Sequence, residues 1–252
     1  MLDVVASVFI FFNVGFLFFL VNKKLHVVDL LWGLAQGVIV VATFFKSFDN
    51  LSSQLKCFSL LIIFWSIRLF IYLLIRNWGK PDDRRYKELS SKWRGGLALN
   101  AYFRIFLVQC ILALLISFPV IMLRGAGINE GSSLLFWFFF IVSFFGLVYE
   151  SIADNQLYAH KSNFPEKRLY GKGLYKYSRH PNYFGEVVFW WGIGAASVSL
   201  GSPWWVLFSP LILNTLIYTF SGVPFHKKNS DDPGFNDWVQ STNPIIPNFF
   251  KN

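Results

Sequence analysis

The chain has 252 residues, of which 54% are hydrophobic, 20% aromatic and only 15% charged, and its mean hydropathy is +0.46. Soluble domains carry about a quarter charged residues, so this composition argues against a water-soluble globule. The 23 Lys+Arg against 14 Asp+Glu would suggest nucleic acid in a soluble protein, but here the basic residues lie between long apolar runs, so no nucleic-acid partner is expected.

Seven apolar stretches follow one another, at 4–20, 27–45, 58–75, 102–123, 134–152, 184–200 and 203–220. Most are near the roughly 17–25 residues that a spanning helix needs. The first lacks a basic leader and a small-residue cleavage site and is followed by Lys23 and Lys24, so it reads as a retained span. The last two are joined only by Gly201 and Ser202, a tight helical hairpin. The expected fold is therefore an all-α polytopic membrane protein, a bundle of about seven transmembrane helices forming one membrane-embedded domain over 1–252. Segments that follow odd-numbered spans hold 18 basic residues, whereas the N-terminus and the segments after even-numbered spans hold 3. The positive-inside rule then places the N-terminus outside and the C-terminus in the cytosol, with the long polar segments 76–100 and 154–183 on the cytosolic face.

Cys57 and Cys110 lie at or within apolar stretches, and the four histidines, His26, His160, His180 and His226, show no zinc spacing and no i,i+4 pair. Neither a disulfide nor a metal is assigned, and a metal-dependent membrane hydroxylase, which needs paired histidines, is disfavoured.

Asp29, Arg68, Glu150 and Glu186 fall inside apolar stretches, where a charge is costly, so each is expected to face a protein interior or a wet cavity. Pairing among them as polar glue is one explanation. Trp65, Arg68 and Tyr72 share one helical face, and so do Glu150 and Asp154 at i,i+4. Two acids on one face need a cation or hydrogen-bonding group between them, which a ligand amide, a ribose or Lys161 would supply.

The strongest local signal is the run from Tyr177 to Glu186, Tyr-Ser-Arg-His-Pro-Asn-Tyr-Phe-Gly-Glu. Pro181 suits the first turn of a helix, so the sixth span is expected to begin there. Its N-terminus, flanked by Lys176, Arg179 and His180, makes an anion site suited to a phosphate. One turn deeper, Asn182 and Glu186 share a face and can hydrogen-bond a polar ring, and Gly185 permits close approach of a ligand or a helix. Interfacial anchoring would explain Arg179 and Tyr183 equally well, but leaves a buried Glu186 unexplained.

These residues, with Gly173 to Lys176 before them and Trp190-Trp191-Gly192 after, resemble the C-terminal domain of steroid 5α-reductases, and most nearly a mostly bacterial branch of that superfamily. The likeness extends to Trp78 through Tyr86, Asp29 through Gly33 and Ser221 through Pro224, and so covers nearly the whole chain. It implies a seven-helix membrane enzyme that binds NADPH from the cytosol and reduces an activated carbon-carbon double bond of a lipid or steroid-like substrate. By resemblance, Asn182 and Glu186 match the Asn-x-x-Gly-Glu motif around the nicotinamide carboxamide. Asp154 matches a cofactor-contacting acid of helix five, and Lys161 falls where the reductases carry a phosphate-binding Arg. Arg68 and Tyr72 match an Arg-x-x-x-Tyr pair of helix three, while Trp65 stands where the steroid enzymes have a Tyr. Asp29 lies near a catalytic acid of helix two, and His226 near a C-terminal cofactor-binding His. Arg84, Arg85, Arg179, His180 and Tyr183 complete the expected cofactor-binding set; Asp29, Tyr72 and Glu186 are the expected catalytic residues.

Isoprenylcysteine and phospholipid methyltransferases share Arg-His-Pro-x-Tyr-x-Gly, which implies S-adenosylmethionine as the alternative cofactor and methyl transfer to a lipid or prenylated substrate as the alternative reaction. They usually follow it with a Glu-Glu pair, which is missing from Gly222 to Lys228. The reductase reading expects a monomer that takes its substrate sideways from the bilayer, in a bacterial inner membrane or, in a eukaryote, the endoplasmic reticulum.

Overall fold

The computed structural model describes the chain except for residues 78, 81–83, 125–132, 168, 221–232 and 251–252. The described residues form helices and the loops that join them, without a strand, and their contacts cluster into two compact units, 1–128 and 129–252.

In the first unit, α1 (Leu2–Asn22), α2 (Val27–Phe44) and α3 (Ser53–Asn77) pack with a fourth helical stretch built from α5 (Leu97–Ala101), a π-helical turn (Tyr102–Phe106) and α6 (Leu107–Ile116). The nearly uniform apolarity of α1 hides its inner face, but burial reveals it: Val4, Val8, Phe12 and Phe19 form one stripe, while Val5, Phe9, Val14 and Phe18 are exposed as lipid-facing residues would be. That stripe meets Val28, Ala35 and Ile39 of α2 and Phe106, Cys110 and Ala113 of the fourth stretch. Where α2 crosses α3, Gly33 and Gly37 stand four apart, and the Ser66 hydroxyl donates to the Gly33 carbonyl while accepting from the Gly37 amide. Small residues at such spacing let transmembrane helices approach closely and exchange polar contacts. α6 stops at Ile116 because Pro119 cannot continue the ladder, and the short α7 (Phe118–Met122) follows. The expected stretch 102–123 therefore starts earlier and is broken at Ser117. A further short helix, α4 (Arg84–Ser90), sits between α3 and α5.

In the second unit, α8 (Ser133–Asn163) pairs along its length with α9 (Pro181–Ser199), and α10 (Phe208–Phe220) and α11 (Phe235–Ser241) follow. α8 runs eleven residues past the apolar stretch 134–152, so the first part of the expected polar segment 154–183 is helix rather than loop. α9 begins at Pro181, as its sequence predicts.

Among the described residues, five helices are long and apolar enough to cross a membrane: Leu2–Asn22, Val27–Asn50, Ser53–Asn77, Leu97–Ile116 and Leu134–Asn163. The two remaining expected spans differ for physical reasons. α9 has the length, at 19 residues, but carries Asn182 and Glu186. The last apolar stretch is shortened by a 3₁₀ turn, Trp204–Leu207, which leaves 13 residues in α10. The chain is thus a multi-pass membrane protein by its apolar helices.

Candidate functional site

The site residues of the second unit lie on the α8–α9 pair and the loop before α9. Three glycines set the spacing of that pair. A Cβ built on Gly185 would stand 2.5 Å from the Glu150 amide nitrogen and 2.8 Å from its Cα; one on Gly146 would stand 2.5 Å from the Phe189 amide nitrogen; one on Gly192 would stand 2.8 Å from that of Ser143. The two backbones are therefore in contact over about two turns, closer than any larger side chain allows. This brings the polar groups of α9 against the acids of α8. Glu150 and Asp154 are both 3% exposed, and Asn182 donates from Nδ2 to the Asp154 carboxylate at 3.3 Å. The hydrogen-bonding group that the two acids require is therefore supplied, at Asp154, by Asn182. Glu186 lies one turn further along α9, half-buried.

Above the pair, the loop before α9 is tied down by the C-terminal segment. The Arg179 amide donates to the Asn243 carbonyl at 2.9 Å, the Asn248 amide to the Tyr177 carbonyl at 2.9 Å, the buried Ser178 hydroxyl to the Ile245 carbonyl at 2.7 Å, and Trp238 Nε1 to the Tyr175 carbonyl at 3.2 Å. Gln156 of α8 accepts from the Leu174 amide at 3.0 Å, beneath Gly173, whose positive φ of 57° a side chain would strain. His180 precedes Pro181 as the N-cap, is buried, donates from its amide to the Ser178 hydroxyl oxygen at 3.2 Å, and stacks on Tyr183 with ring centres 5.0 Å apart. Arg179 is half-buried; burial lowers its pKa, and its Nε is shielded from solvent without a hydrogen-bond partner among the described residues. Lys161 is bonded through Nζ to the Lys167 carbonyl.

The first unit holds the remaining expected residues. Trp65, Arg68 and Tyr72 lie along α3, with Trp65 wholly buried, Arg68 half-buried, and the Tyr72 hydroxyl shielded from solvent; the Tyr72 ring carries the Arg76 guanidinium at 5.6 Å. Asp29, in the first turn of α2, accepts from the Tyr86 hydroxyl at 2.6 Å, which fastens α4 to α2. Arg84 and Arg85 open α4, but their side chains lie outside the described structure, and His226 lies outside the described residues altogether. Sequence reasoning missed three contributors: Tyr86 as the partner of Asp29, Gln156 under the loop, and residues 243–249 over it. Only Tyr86 had a signal, since it closes the stretch 78–86 that carries the resemblance.

Tyr86→Phe removes a hydrogen bond to a charged acceptor, which is worth about 1.5–3 kcal/mol when shielded and less here, where Asp29 is half-buried. A loss of about 1–2 kcal/mol in denaturation of the micelle-bound protein is expected; an unchanged unfolding curve would show that the contact does not stabilise the fold.

A family model described as "Protein of unknown function (DUF1295)" matches residues 15–242. The chain belongs to the DUF1295 family. This family is linked to steroid 5α-reductase-like proteins. The match spans both units and every expected site residue of the chain. No curated protein and no solved structure matches the chain.

Proposed function

We propose that this DUF1295 member is an NADPH-dependent reductase that acts within the membrane on an activated carbon-carbon double bond of a lipid or steroid-like substrate. The observation that carries the reading is the Asp154–Asn182 pair, held beside a helix contact without room for a Cβ and placed in the first turn of a helix whose N-terminus is flanked by a cation. The residues fit the cofactor. A shielded Arg179 nitrogen without a partner is a donor that calls for an acceptor, and the N–H groups of the first turn of α9 and Lys176 add to the same field, so these groups would hold a phosphate. Asp154 holds the Asn182 amide, so Asn182 and Glu186 would present fixed polar groups to a carboxamide ring. NADPH, when bound, supplies the hydride. The packed α8–α9 interface keeps water from one side of the site, which strengthens every polar contact there. By resemblance, Tyr72 would donate a proton or a hydrogen bond to the oxygen that gains charge, and the carboxylates of Glu186 and Asp29 keep their catalytic assignment by resemblance alone.

The reading includes seven crossings with the N-terminus outside, counting α9 and α10 with the five long helices. Three tertiary contacts are compatible with this count, because each needs an even number of crossings between its partners. Lys24 donates to the Lys80 carbonyl across α2 and α3, Arg124 grips Asp3 through two bonds of 2.5 and 2.6 Å across the first four spans, and Arg179 meets Asn243 across α9 and α10. Cysteines introduced at exposed Lys92 and Lys172 are expected to resist an impermeant thiol reagent outside intact cells; labelling of both from outside would invert the orientation.

The direct test is the affinity of the purified protein for NADPH, NADH and S-adenosylmethionine. NADPH is expected to bind best, and Arg179→Ala to weaken it about ten- to a hundredfold, the value of one charge-assisted contact. Equal affinity for NADH removes the 2'-phosphate site, and selective binding of S-adenosylmethionine replaces the reductase reading with the methyltransferase one.

A further inference from the structure

A cavity of about 550 Å³ opens in the first unit among α1, α2 and α3, at the end of these helices remote from Asp29. Asp29 stands in the first turn of α2, and Lys46, at the cavity mouth, follows its last turn, about 25 Å further along the axis. The cavity belongs to neither the α8–α9 pair nor the loop above it.

Its walls are apolar: Leu34, Val38 and Val41 of α2 face Ile63 and Ile67 of α3. Its floor is Gly37 and Ser66, and the Ser66 hydroxyl is already committed to the Gly33 carbonyl and the Gly37 amide, so the floor offers an apolar guest no unmet polar demand. Charge appears only at the rim. Exposed Lys46 stands there, and the rim carboxylate of Asp3 is already neutralised by the bidentate grip of Arg124. What remains uncompensated at the mouth is therefore positive. The volume lies within the roughly 300–1,000 Å³ of small-molecule sites.

We propose that this cavity holds one acyl chain of an acidic phospholipid, whose phosphate-bearing headgroup meets Lys46 while the chain fills the space between α2 and α3. An apolar trough with a cationic rim matches an amphiphile with an anionic head, and a neutral apolar molecule would leave Lys46 without a counter-charge. The site is independent of the reductase reading, since it shares no residue with the expected cofactor or catalytic set.

The test is native mass spectrometry of the full-length protein in detergent, titrated with phosphatidylglycerol or phosphatidylcholine of identical chains. Phosphatidylglycerol is expected to bind about fivefold or more tightly than phosphatidylcholine, the worth of roughly one cation near a lipid headgroup. Lys46→Glu, an exposed substitution that leaves the packing intact, is expected to abolish or reverse that preference. Val38→Trp, which fills the trough, is expected to remove binding of both lipids. Equal affinity for the two lipids in the wild type, or a preference that survives Lys46→Glu, would overturn the headgroup assignment. Undiminished binding by a folded Val38→Trp protein, with its melting temperature measured alongside, would overturn the site itself.

Discussion

Gly185→Leu is expected to lower the stability of the purified protein by about 3 kcal/mol, at or above the upper end for overpacked interiors. Two effects of opposite sign compete at this position. Leucine is the better helix former by somewhat under 1 kcal/mol. Against that gain, the new Cβ would meet the Glu150 backbone at 2.5–2.8 Å, and backbone atoms of a paired helix cannot swing aside as a side-chain end can. The steric term is several times larger, so the net change is destabilising, and a fall in melting temperature of about 6–12 °C follows from the usual scaling for chains of this size. Gly171→Ala is the control. Its Cβ would lie 3.5 Å from the Trp238 ring, an ordinary contact, and a change within about 0.5 kcal/mol is expected. Equal melting temperatures for the two variants would show that the α8–α9 spacing is not set by Gly185.

The second large effect is expected at Glu186. Glu186→Gln keeps the volume but replaces a pure acceptor with a group that both accepts and donates. If the carboxylate orients the reacting ring, NADPH affinity falls and hydride transfer falls further, because misplacement near the reacting atoms costs up to about a hundredfold in rate. If Glu186 only ties helices together, the melting temperature falls and cofactor affinity does not. A methyltransferase would leave S-adenosylmethionine affinity dependent on the Arg179 to Tyr183 stretch and indifferent to Glu186. NADPH affinity, single-turnover rate and melting temperature on one preparation of the variant separate the three. An unchanged affinity beside a lowered melting temperature would remove Glu186 from the site.

The start of α9 was legible because Pro181 is a local signal, one that acts through its own missing N–H and fixed φ. The shared face of Glu150 and Asp154 was legible from helical spacing alone. That Asn182 would be the group to meet Asp154 was not, since one sequence specifies which residues share a face and not which faces meet. The length of α8 was missed for a different reason. Hydropathy measures preference for lipid, and residues 153–163 are mostly polar, yet Ala153, Gln156, Leu157 and Ala159 are sound helix formers that carry the ladder onward. The C-terminal segment over the loop left no pattern at all. Most of its bonds run through backbone N–H and C=O groups, which every residue except proline carries in full. The Tyr86–Asp29 contact spans 57 positions and joins a short polar helix to an apolar one, which no periodicity links.

The overshoot of α8 also works as a depth gauge. Thirty-one residues rise about 46 Å, against a hydrocarbon layer of about 30 Å. Measured from Leu134 along an upright helix, the far edge of that layer falls close to Asp154, and Glu150 lies about 6 Å, one turn, beneath it. In that placement the buried acids sit at the level where headgroup water begins, and the price of a charge, steep at the midplane, has dropped to a fraction of its peak there. A charged, water-borne molecule reaching Asp154 need not cross any hydrocarbon, while a lipid in the same leaflet already carries its first carbons at that height. So placed, the helix brings the two solvents to a common level along one face, at the turn where the polar groups of α9, Asn182 and Glu186, come within reach.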